Sequence, residues 1–143
     1  MRVFDDVISS EPVETRRAFL QVLWWIIDAD GVLDQRELAF VDAVRQRLDL
    51  DEVGSPANAP EESWADLLGP VAHYVLMQCA LLATADGECH LRERERMEDL
   101  ARLLDAEPGS VDEMVAWAWE GHRWMGGGMA FLSLDERTAA ARA

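Results

Sequence analysis

The chain contains no lysine. All 13 basic residues are arginines, set against 28 Asp and Glu, for a net charge of −15. Such an excess repels phosphate backbones, so nucleic acid is not an expected partner, whereas cations and basic protein surfaces are. Cysteine is nearly as scarce. Cys79 and Cys89 are the two present, and their spacing outlines no disulfide framework, so reduced thiols are expected. Long apolar runs are missing too: "VAHYVLMQCALLATA" (71–85) carries His and Gln and falls short of the roughly 20 residues that span a bilayer. The opening "MRVFDDVISSEP" has acids where a secretory signal needs an apolar stretch, so a cytoplasmic place without direct membrane insertion is expected. Ser-His-Asp spacing, a phosphate-cradling glycine loop and a zinc-protease motif are all wanting, so enzymatic activity is not expected.

What the chain does have is apolar content, 50% of its residues with six Trp, and its 143 residues suit a single domain with a real core. Helical spacing dominates. Phe19, Leu20, Leu23, Ile26 and Ile27 share one stripe, and Gly31 offers a stop. Val41, Val44 and Leu48 point inward on the next helix. The stretch 49–63, rich in Gly, Ser, Asn and Pro, reads as a loop. A short amphipathic piece around Trp64 to Leu68 follows, and Gly69-Pro70 opens a nearly all-apolar helix running to about Ala85. Met97, Leu100, Leu103 and Leu104 face inward on the helix after that. Ser110 with Glu113 predicts a capping box for a further helix. The glycines at 126–128 read as a hinge, and Ser133 with Glu136 starts a last short helix. No alternating strand pattern appears, and the expected class is all-α with about six or seven helices.

A repeat sets the expected architecture. Residues 17–52 align without a gap on 73–108, with identities at Leu20/Leu76, Ala29/Ala85, Asp30/Asp86, Gly31/Gly87, Arg36/Arg92, Glu37/Glu93, Leu48/Leu104 and Asp49/Asp105. Two copies cannot form a solenoid. They predict two helical hairpins packed about a pseudo-two-fold axis: repeat 1 over about 13–52, a linker over 53–63, repeat 2 over about 69–108, and C-terminal helices over 110–143.

The repeat is strongest at "DADGVLDQRE" (28–37) and "TADGECHLRE" (84–93). Asp34 can cap the helix it precedes, with Glu37 completing a capping box. That leaves Asp28 and Asp30 at a helix C-terminus, whose partial negative charge disfavours carboxylates. It also leaves His90, a weak cap, where Asp34 stands in the first copy. A positive partner is called for, either Arg36 or Arg92 as an ion pair or a metal. Numbered back from Glu37 as position 12 of an EF-hand, Asp28 and Asp30 fall at positions 3 and 5 and Gly31 at 6. Position 1 is the apolar Ile26, and the second copy has Leu82 there, so neither loop is a working EF-hand. Asp30, Glu37, Asp86 and Glu93 would instead have to pool carboxylates across the pseudo-dyad for Ca²⁺, Mg²⁺ or Mn²⁺. Asp28, Asp34 and His90 are secondary candidates. Zinc is less expected, because Cys79, Cys89, His73 and His90 show no paired ligand spacing.

An Ala-Asp-Gly after an apolar helix, a Glu six residues beyond the Gly and an amphipathic helix, given twice, resemble the tellurite-resistance TerB family. The TerB-like N-terminal domain of a membrane-anchored DnaJ-type co-chaperone is a cousin. The resemblance covers roughly residues 13–125. It implies an all-helical duplicated fold and metal-binding acids at Asp30, Glu37, Asp86 and Glu93. It also implies a non-enzymatic scaffold role in tellurite resistance and stress response, alongside other stress-response proteins and a membrane-embedded partner that would hold it at the inner membrane. Two features depart from the family: lysine, often abundant there, is missing here, and Cys89-His90 is unusual in the second turn. The competing reading is a protein-interaction module without metal, whose acids cap helices and pair with arginine. Trp24 and Trp25 point about 100° apart on a helix, and Trp119 lies off the face shared by Trp117 and Trp124. Core packing is therefore the expectation for most of these indoles, with at least one partly exposed and available to a partner.

Overall fold

The computed structural model describes residues 7–31, 34–52, 54–85, 89–121 and 123. The expected helices 110–143 are thus described only as far as 123, and the glycine hinge, Trp124 and the Ser133 helix lie outside the described residues. The fold is all-helical. Its main helices are α1 (Val13–Ile27), α2 (Gln35–Arg47), α3 (Ser63–Leu68), α4 (Ala72–Ala83), α5 (Leu91–Leu103) and α6 (residues 110–121).

α1 forms because its apolar side chains recur at helical spacing, and Phe19, Leu20, Leu23, Ile26 and Ile27 are all buried as that spacing predicts. A 3₁₀ turn, Asp28–Asp30, extends it until Gly31, whose φ of 73° is a left-handed conformation that favours glycine. α3 leads through a second 3₁₀ turn, Gly69–Val71, straight into α4, with Pro70 at its start, where a missing N–H costs nothing. Together these make a helical run, Ser63–Ala83, long and apolar enough by length and composition to cross a membrane, which corrects the expectation that no run reaches that length. Here it is a core element: Trp64, Leu68, Val75, Leu76, Cys79 and Leu82 are enclosed on it.

A shift of 56 residues carries Gln35–Arg47 onto Leu91–Leu103 and Val13–Ile27 onto the combined span of Gly69–Val71 and Ala72–Ala83. The ends of α2 and α5 match in detail. Asp49 and Asp105 both take positive φ, at 52° and 57°. The N–H of Leu50 donates to the Arg45 carbonyl and that of Ala106 to the Ala101 carbonyl, at 3.2 and 2.8 Å. α1 packs on α4 at the centre, α2 folds back on α1, and α5 folds back on α4. Each hairpin also reaches across, α1 touching α5 and α2 touching α4. α3 covers α1, placing the Trp25 and Trp64 rings 5.6 Å apart.

One local expectation needs correction. Ser110 does not open α6 as a capping box. Its hydroxyl donates to the Glu107 carbonyl at 2.7 Å, and the Glu113 N–H is taken by the Gly109 carbonyl. The helix thus begins one residue earlier than the Ser-x-x-Glu pattern implies. Leu103 packs against the core, half-buried, on the inward side that its spacing predicts. Val111, Val115 and Ala118 fasten α6 to the core, leaving Trp117 and Trp119 on either side of that stripe at 45% and 37% exposure.

Candidate functional site

The acids of the first turn occupy three different settings. Asp28 is exposed and accepts a long hydrogen bond, 3.4 Å, from the Ser55 hydroxyl. The backbone of Asp30 closes the 3₁₀ turn. Asp34 is the N-cap of α2: its backbone is extended and its Oδ1 accepts from the Arg36 N–H at 2.7 Å. That bond satisfies one of the helix's orphan donors. Asp34 therefore has a structural role of its own.

One turn into α2, Glu37 lies buried at 3% exposure, and Glu93 lies buried at 1% in the corresponding turn of α5. Most of the described glutamates face solvent, so two buried ones at one register of two matched helices stand apart. Their place in a first turn is electrostatically favourable, because the N-terminus of a helix carries partial positive charge. Removing a carboxylate from water nonetheless requires compensation by hydrogen bonds, a cation or protonation. His90 occupies the N-cap position of α5 with an extended backbone and no side-chain capping bond, as expected of a weak cap.

The Asp28–Asp30 turn packs against α5, the helix bearing Glu93. The first repeat's acidic turn thus reaches the second repeat. Asp86 lies outside the described residues, and so do its neighbours Gly87 and Glu88. Among the described residues, no group of three or more His, Cys, Asp or Glu side chains is gathered as a metal site would require.

A cation that the sequence did not single out reaches the end of α1. Arg96 on α5 donates from Nη1 to the Trp25 carbonyl at 2.5 Å, and its guanidinium carbon lies 5.3 Å from the Trp25 ring centroid. Arg36 and Arg92, the arginines expected to pair with the acids, are exposed on the first turns of α2 and α5. The contact joins residues 71 apart in sequence, which no local pattern announces. Other arginines serve helix ends. Arg16 reaches the Leu48 carbonyl at 2.5 Å, and Arg45 reaches that of Leu50 at 3.1 Å while pairing with Asp42 at 2.8 Å.

Cys79 is fully buried in α4, and burial pushes its thiol well above the ordinary range. It is a core thiol, as expected, while Cys89 is half-exposed, two residues ahead of α5. Comparison with known proteins adds no relative: no family model matches the chain, and neither curated proteins nor solved structures give a match.

Proposed function

We propose that this chain is a non-enzymatic TerB-like domain that binds a hard divalent cation, Ca²⁺, Mg²⁺ or Mn²⁺, between its two acidic turns. On this reading it acts as a cytoplasmic scaffold for tellurite-resistance and stress-response proteins, with a membrane-embedded partner. The observation that carries the proposal is the burial of Glu37 and Glu93 at one register of α2 and α5, each six residues beyond an Asp-Gly pair in the sequence. The contact between the first turn and α5 supports a common location. Asp30 and Asp86 would complete a four-carboxylate set, with Asp28, Asp34 and His90 at its margin. Hard oxygen donors of this kind suit those three ions and disfavour Zn²⁺.

Calorimetry with Ca²⁺, Mn²⁺ and Zn²⁺ tests the reading, on the natural chain and on a Glu37→Gln/Glu93→Gln double variant. Heat of binding in the natural chain, lost in the variant, is the expected outcome. Equal heats and equal melting temperatures with and without metal would reject it.

A second reading has its own support in Asp34, which caps α2, and in Arg96, which brings positive charge to the end of α1. In that reading the acids only shape helix ends, and the domain is a protein-interaction module. The exposed indoles of Trp117 and Trp119 would then be its first docking candidates, since Trp is enriched at interface centres.

A further inference from the structure

The last turn of α1 concentrates negative potential. Its terminal carbonyls carry the negative end of the helix dipole, and Asp28 and Asp30 follow directly. Arg96 is held over this end by two independent contacts, the hydrogen bond to the Trp25 carbonyl and the stacking of its guanidinium over the Trp25 ring. Trp25 is itself held in place, 6% exposed and tilted 60° against the fully buried Trp64. A planar guanidinium fixed in this way is a stationary charge, unlike a surface arginine that wanders in solvent. The helix that carries it packs on the Asp28–Asp30 turn.

The repeat supplies an internal control. The shift of 56 residues that matches the helix bounds pairs Arg96 with Phe40 and Trp25 with Leu81, so the equivalent place at the end of α4 is offered neither a cation nor an aromatic platform. The contact is not inherited from the duplicated hairpin; it belongs to the first turn alone.

We infer that Arg96 is the resident counter-cation of the first acidic turn, and that its charge lowers the affinity of this turn for an added divalent ion. The second half of the inference rests on the cation-binding reading above; the first half does not. The full chain with Arg96→Met or Arg96→Lys tests both. In metal-free buffer with chelator, Arg96→Met should lower the melting temperature more at about 20 mM salt than at about 500 mM, where screening removes most of a charge effect. Arg96→Lys, which keeps the charge, should recover most of the low-salt deficit. A deficit equal at both salt concentrations, or unrelieved by lysine, would overturn the assignment, since a lost hydrogen bond or packing contact alone is not screened. For the second half, Mn²⁺ titration should show binding to Arg96→Met tighter by roughly fivefold or more than to the natural chain. Bound Mn²⁺ with unchanged affinity would overturn that half. If neither protein binds Mn²⁺, the cation-binding reading fails together with this second half, and the salt comparison alone decides whether Arg96 is the counter-cation.

Discussion

Asp49 and Asp105 are the non-glycine residues with positive φ among those described, at 52° and 57°, and each directly follows the C-cap of its helix. In both places the chain adopts the left-handed residue that lets the following N–H bond back to the helix, the role glycine fills most often. Aspartate tolerates this conformation better than most residues, but its charge faces the negative end of a helix dipole. Asp49→Gly and Asp105→Gly should each therefore raise stability, by about 1 kcal/mol. Urea titration checks this; a loss in either variant would show that the carboxylate does something besides turn the chain.

The N-cap at Asp34 gives the next expectation. Its carboxylate accepts from the Arg36 N–H at 2.7 Å, so Asp34→Ala should cost about 1 kcal/mol, and Asp34→Asn should stay within a few tenths of the natural chain. Asparagine retains the accepting oxygen and loses the charge. If Asp34→Asn destabilised as much as Asp34→Ala, the charge rather than the cap would be what matters, and a ligand role for Asp34 would gain ground.

How far the sequence foretold this molecule depends on the range of the forces involved. The stripe from Phe19 to Ile27, the Gly31 stop, the Asp34 cap and the Trp64 to Leu68 piece are set by local spacing and backbone preference, and all were legible. Glu37 and Glu93 were legible as candidates through the repeat, yet nothing local tells a buried glutamate from an exposed one, because burial is decided by the neighbouring helices. Arg96 was missed for the same reason. Its partner lies in the other hairpin, and on α5 alone it reads as one more charge among Arg92, Arg94 and Glu95. Ser110 misled because Ser-x-x-Glu also fits a helix that has already begun, here at the carbonyl of Gly109.

Trp64 poses a cleaner test of hydrogen-bond accounting. Its side chain is fully buried, and its indole N–H finds no acceptor among the described residues. A buried donor left without a partner costs about 1–3 kcal/mol. Trp64→Phe removes that donor along with some packing against Trp25, so the two effects should nearly cancel and leave stability within about 1 kcal/mol of the natural chain. Trp64→Ala keeps no such compensation and should cost about 3–5 kcal/mol. A loss for phenylalanine as large as for alanine would mean that the indole nitrogen is satisfied after all.

The core thiol connects burial to chemistry. Cys79 is fully enclosed, and the desolvation of its thiolate raises its pKa far above the ordinary value. In the unfolded chain it would ionise near the usual thiol range, about 8.5. The sign follows from linkage: the folded state keeps the proton that the unfolded state releases, so this thiol's contribution is intact at neutral pH and declines as pH rises past the unfolded value. Cys79→Ala should abolish that part of the alkaline decline, about 1.4 kcal/mol per pH unit above roughly pH 9, while losing some packing energy at every pH. Thiol labelling gives a second readout. A disulfide reagent at pH 8 should leave Cys79 untouched in the folded protein and modify it once denaturant is added, since the nucleophile is the thiolate and burial suppresses it. Rapid modification of Cys79 in the native state, mapped by peptide mass, would show that α4 opens on the timescale of labelling, and the core built around it would have to be redrawn.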